Sequence, residues 1–330
     1  EAPEKLDLTV VDLTIAAGSS IDVSDQGLLP SGTGHYYGGS HGGYGGSRSG
    51  GTPNEPHGDI YEPTDFGSGG IYDGNHYDST AKTRGGGALK LEVTNELVLD
   101  GDILSNGQSH LGTHSGGGSG GSVWLDVNVL RGNGSIAADG GHGGSSYGGG
   151  GSGGRVAVYY HNADGFDLGN ITSLGGAGSN ATAGAAGTIY FKNNSTQEDE
   201  LQVSNSGVGL NTGETVISGV ISAPLNVVSG KVKFVDQTEL VSNIAITDSY
   251  IIQEGTTTVS GDYDFTGSTL SQKGDLILSN NNIVVDGWEW ILSGVHSWNR
   301  IDILNQGTMR HPLEAPEKLD LTVVDLTIAA

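Results

Sequence analysis

Seven of the ten histidines (His35, His41, His57, His76, His110, His114 and His142) lie in glycine-rich stretches, with Tyr36, Tyr37, Tyr44, Tyr61, Tyr72, Tyr77 and Tyr147. Imidazoles in loops can ligate a metal, but no pair here has helical or C-x-x-C-type spacing. The reading favoured is loop anchoring, or lateral contact between neighbouring filaments through the His/Tyr/Gly loops. The run DGNHYD places Asp73, Asn75 and Asp78 where oxygen ligands could cup a Ca²⁺ ion. No other cofactor is expected. Acids at Glu92, Asp126 and Asp302 fall singly in strand-like runs, as on a solvated face. Polysaccharide cleavage would need clustered carboxylates, or a base beside bound Ca²⁺, and Lys231, Lys233 and Arg155 are the basic residues central to strands. The chain is therefore read as no enzyme. Trp288, Trp290 and Trp298 could bind glycans or simply pack. Asn133, Asn170, Asn180, Asn193 and Asn194 each open an N-x-[ST] sequon and are glycosylation candidates.

These residues must be positioned by β-structure, because apolar residues alternate with period 2 and no three-turn helical stripe occurs. Four segments begin with small residue pairs at 86, 120, 153 and 186, a spacing of 33 or 34. Each continues with alternating apolar residues, such as Leu89, Leu91 and Val93 or Val123, Leu125 and Val127, and then a second short run. Residues 6–27 carry the same pattern before a much larger glycine-rich insertion. Of the 59 glycines, 47 precede residue 188; beyond about 210, short β-rich runs recur without long loops. A triplet of short strands and a turn, repeated in one order, predicts an all-β parallel β-helix, a β-solenoid with glycine-rich loops stacked on one side. Such loops lack Cβ atoms and can bond backbone to backbone as an ordered layer.

Residues 1–17 and 314–330 are both EAPEKLDLTVVDLTIAA. A fused tag would duplicate a segment too, but the preferred reading is a tandem array with a period of 313. The first residue being Glu rather than Met suits an excerpt of a longer chain. The expected organisation is long-loop coils over 1–207, compact coils over 208–313, and the start of the next repeat at 314–330. Leu6, Leu8 and Val10, with their copies Leu319, Leu321 and Val323, form the expected repeat junction. At about 4.8 Å per coil, one repeat advances roughly 45–50 Å.

Composition narrows the field. The chain has 330 residues, no Cys and a formal charge of −24. That excludes a disulfide scaffold and a thiol nucleophile, and argues against nucleic acid as partner. Eight prolines and no G-X-Y period exclude collagen. No apolar run is long enough to span a membrane as a helix.

The stretches GGGALKLEV (85–93), GGGSGGSVWLDV (116–127), GGGGSGGRVAVYY (148–160) and GDIYEPTDFGSGG (58–70) resemble giant, repetitive, glycine-rich parallel β-helix surface proteins of the adhesin type. The resemblance is good over residues 85–207 and looser elsewhere. It implies an extracellular or cell-surface location and a structural role in a fibre, filament or adhesin stalk, with adjacent identical repeats as partners. A glycan-binding adhesin module is the alternative, and a β-helix lyase or hydrolase the more remote one.

Overall fold

The computed structural model describes residues 5–30, 36–48, 53–71, 82–110, 113–279, 281–313 and 318–329. Among them the chain is β throughout, with largely parallel sheets and one 3₁₀ turn at Leu168–Asn170. It divides into two compact units, Glu1–Thr215 and Val216–Ala330.

In the first unit long strands alternate with short ones: β1 (Leu6–Ile15), β2 (Ser20–Asp22), β3 (Ala88–Leu99), β4 (Asp102–Leu104), β5 (Ser122–Gly132), β6 (Ser135–Ala137), β7 (Arg155–Phe166), β8 (Ile171–Thr172), β9 (Thr188–Asn193) and β10 (Asp199–Ser204). The long strands pair in parallel in the order β1-β3-β5-β7-β9, and the short ones in the order β2-β4-β6-β8. Register follows the sequence spacing: Leu89 faces Val123, Val123 faces Val156, and Val156 faces Ile189. Leu89, Leu91, Val93, Leu97 and Leu99 are buried with Val123, Leu125, Val127, Val156 and Val158 in one core. Each such side chain contributes about 1.5–3 kcal/mol on burial. Between Val93 and Glu96 β3 takes three steps where β5 takes two from Val127 to Val129, so β3 bulges there and its inward set resumes at Leu97 and Leu99.

The fourth of the similar sequence segments departs from the others. It folds back as an antiparallel pair, β9 with β10. The cause is local: Asn193 Oδ1 accepts from the backbone N–H groups of Ser195 and Thr196, and Gln197 adopts φ 66°. The turn is closed before a parallel crossover can form.

From β11 (Thr215–Ile217) at the border, the second unit uses mostly short strands: β12 (Val220–Ile221), β13 (Leu225–Val228), β14 (Lys231–Phe234), β15 (Thr238–Leu240), β16 (Ile244–Thr247), β17 (Tyr250–Gln253), β18 (Thr256–Val259), β19 (Tyr263–Asp264), β20 (Thr269–Gln272), β21 (Asp275–Leu278), β22 (Asn282–Asp286), β23 (Glu289–Leu292) and β25 (Thr308–Arg310), with two longer ones, β24 (Gly294–Leu304) and β26 (Leu319–Ile328). Three parallel ladders run through it, β13-β16-β19, β14-β17-β20-β23-β25 and β12-β15-β18-β21. All keep an offset near 19 residues: Leu225 faces Ile244, Lys231 faces Tyr250, and Val220 faces Glu239. Left-handed residues recur at the same interval, Ser229 (φ 51°), Asp248 (φ 49°) and Gly267 (φ 63°). Beside them Gly230 N–H donates to Ser249 Oγ, and Ser249 N–H to Ser268 Oγ, both at 3.1 Å. A fourth group, β22-β24-β26, ends on the second copy of the duplicated strand.

Candidate assembly interface

The glycine-rich stretches of the first unit form a packed layer. Segments 83–87, 116–121, 149–154 and 183–187 lead into β3, β5, β7 and β9, while 105–108, 138–143 and 173–177 follow β4, β6 and β8. Backbone hydrogen bonds zigzag between the two sets: Gly184 N–H to Gly176 O, Gly176 to Gly151, Gly151 to Gly141, Gly141 to Gly118, Gly118 to Gln108 and Gln108 to Arg84, all 2.8–2.9 Å. The insertion between β2 and β3 adds a further row, with Ser152 N–H donating to Gly39 O and Ser119 N–H to Ser68 O. Neighbouring chains approach so closely that a Cβ on Gly150 would lie 1.8 Å from Gly176 O. The reason for the glycine is therefore space rather than flexibility.

Histidines and tyrosines anchor this layer. His41 is fully buried, its Nδ1 3.0 Å from Gly120 O and its ring 4.7 Å from that of His57. Burial, then the charges of His57 and Arg155, push the His41 imidazole well below its usual pKa. Arg155, also buried, donates from Nε to His57 O at 2.8 Å and from a terminal nitrogen to Thr188 Oγ1 at 3.1 Å. Burial lowers its guanidinium to about 10, against the pull of Asp59 and Asp65. At the loop tips Tyr36, His114 and Tyr147 cluster, with Arg48 3.6 Å above the Tyr147 ring. Both tyrosines hold left-handed backbones, at φ 58° and 73°.

The duplicated strand occupies two different edges. As β1 it pairs with β3, Leu6 facing Leu89, Leu8 facing Leu91 and Val10 facing Val93. As β26 it pairs with β24, Leu319 facing Gly294, Leu321 facing His296 and Val323 facing Trp298. The backbone groups used also differ. In β1 the Ile15 carbonyl accepts from Asp100 and Gly101. Beside β24, Lys318 O accepts from Gly294 N–H and Ala329 N–H donates to Ile303 O. These correspond to Lys5 and Ala16, which face away from the side that Ile15 O uses. Burial differs accordingly: Ile15 is 5% exposed and its copy Ile328 is 72% exposed.

The remaining sequence candidates scatter. Asp73, Asn75 and Asp78 lie outside the described residues, as do His35 and His76. Asn133 and Asn180 are exposed, whereas Asn170, Asn193 and Asn194 are half-buried, with the Asn193 side chain engaged in its turn. Trp290 and Trp298 pack edge to face, 0% and 3% exposed, as core residues. Glu92 and Asp126, expected singly, are direct cross-strand neighbours. Burial, and secondarily the charge of Glu92, raises the Asp126 carboxyl. Only register could reveal that adjacency. The His41–Arg155 anchor was equally invisible, because its members lie 114 positions apart.

No family model, curated protein or solved structure matches this chain.

Proposed function

We propose that this chain is the structural repeat unit of an extracellular or cell-surface fibre, filament or adhesin stalk, built as a continuous parallel β-helix. The observation that carries the reading is the duplicated strand. Its two copies use opposite edges, so a single strand can bond a β24 before it and a β3 after it. Each repeat then covers the open edge of its neighbour, a surface otherwise prone to indiscriminate pairing. The partners are adjacent identical repeats, with the loop-tip cluster of Tyr36, His114 and Tyr147 available for lateral bundling. Neither a catalytic residue nor a cofactor enters this role. Rigidity comes from backbone hydrogen bonds along the axis, and the acidic charge keeps the rods soluble.

Diffraction from aligned native material tests this. A fibre of this kind gives an axial reflection at about 4.8 Å, whereas compact beads on flexible links give none. A denaturing gel separates covalent arrays from exchanged ends, since separate subunits would run as one 33.7 kDa band.

A further inference from the structure

The 19-residue register places Asn282 next above Tyr263, yet β22 does not pair with β19. The Tyr263 hydroxyl occupies the gap, accepting from Val284 N–H at 2.9 Å and donating to Asn282 O at 3.4 Å. Trp288 Nε1 donates to Val284 O at 3.1 Å. Two side chains thus take backbone groups that a stacked strand would use, and the ladder stays open. The groove left encloses about 770 Å³, within the roughly 300–1,000 Å³ range of small-ligand sites.

Its lining is suited to one ligand class. Tyr263 is half-buried, with its ring 5.5 Å from that of Phe265, which packs edge-on to Trp288 at 5.0 Å. Asp262, Asp264, Asp286 and Asp302 line the groove with a single cation, Arg300. Three of these carboxylates are oriented by the protein. Asp264 Oδ1 accepts from Thr266 N–H and Oγ1, Asp286 Oδ1 from Asn305 Nδ2, and Asp302 Oδ2 from Arg300 Nε. Asp302 is 8% exposed, and its Oδ1 has no hydrogen-bond partner. Among the described residues no three acidic or histidine side chains converge to hold a metal. The carboxylates are instead spread along the groove. An extended peptide joining by strand addition would need free edge groups, and Tyr263 and Trp288 already satisfy Asn282 O, Val284 N–H and Val284 O.

We infer that this groove binds carbohydrate, as a short run of neutral or amino sugars. Spaced, pre-oriented carboxylates accept from successive sugar hydroxyls or ammonium groups, and the Tyr263 ring offers a face for the apolar side of a pyranose. The excess of carboxylates rejects uronates. The site stands on the second unit alone, independent of whether repeats form a fibre.

Calorimetric titration of the 330-residue chain with chitotetraose, cellotetraose, tetragalacturonate and spermine tests it. The expected result is a Kd of about 1 mM or tighter for at least one of the first two, and no heat from tetragalacturonate. The double variant Asp264→Asn, Asp286→Asn should weaken that binding about tenfold. Ser279→Arg, which enters the groove from an exposed turn, should abolish it and serves if the double variant misfolds. Silence of both neutral and amino probes overturns the inference. So does binding of spermine alone, or undiminished binding in the variants.

Discussion

The strand pattern of the first unit recurs about every 33 residues and that of the second about every 19, yet both stack strands in parallel register. The difference lies in what packs between successive strands. In the first unit, glycine segments bond to one another through their backbones, and order depends on absent side chains. In the second, a left-handed residue recurs once per repeat of the pattern, at Ser229, Asp248 and Gly267, and large side chains pack between the strands. Gln253 and Gln272 are buried there, and Gln272 Oε1 accepts from Trp290 Nε1 at 3.0 Å. Parallel stacking therefore tolerates two opposite packing materials, and substitutions should separate them.

The largest effect is expected from Trp290→Ala, which empties the heart of the second unit. About 3–5 kcal/mol of stability should be lost, seen as faster amide exchange across residues 250–292. Tolerance of the change would deny that side-chain packing holds this unit. Next comes Gly150→Ala, a single methyl group. In a layer with a carbonyl 1.8 Å from the new atom, about 2–3 kcal/mol should go, with exchange rising through residues 105–187. A near-neutral result would mean that the layer yields easily.

How much of this was legible in advance follows the same division. The 33-residue spacing showed itself because Gly-Gly pairs and Val/Leu alternation repeat as letters. The 19-residue period was hidden, because its left-handed position is Ser229, then Asp248, then Gly267. Those residues share a backbone conformation rather than a composition. The β9–β10 hairpin was missed because its strand pattern matches the parallel segments, and only the Asn193 turn decides direction. Trp290 and Trp298 were ambiguous in sequence, since an aromatic residue packs or binds equally well.

A smaller effect separates the units by pH. His41 has its folded pKa held well below 6.5 by burial, so the unfolded chain binds a proton that the folded one excludes. Stability of the first unit should therefore fall as pH drops below about 6.5, by at most about 1.4 kcal/mol per pH unit. His41→Phe should flatten that slope. In the second unit Glu254 is held below its usual value, first by hydrogen bonding from Lys233 and then by Lys273. That contribution is present at neutral pH and lost only as pH falls through the carboxylate range. Melting curves between pH 7 and 5 that shifted both units equally would contradict the assignment. The smallest effect belongs to Lys273→Ala. Its 3.1 Å ion pair with Glu254 is exposed, and it should cost less than about 0.5 kcal/mol.

The central claim, that one strand joins two repeats through opposite edges, is tested most directly by amide exchange in residues 319–328. The comparison is between the 330-residue chain and a chain carrying the 313-residue period twice. In the short chain, alternate amides facing away from β24 should exchange freely. In the long chain those amides should gain protection, and Ile328 should become as buried as Ile15. If the same amides stay unprotected in the longer chain, the duplicated strand does not join the repeats.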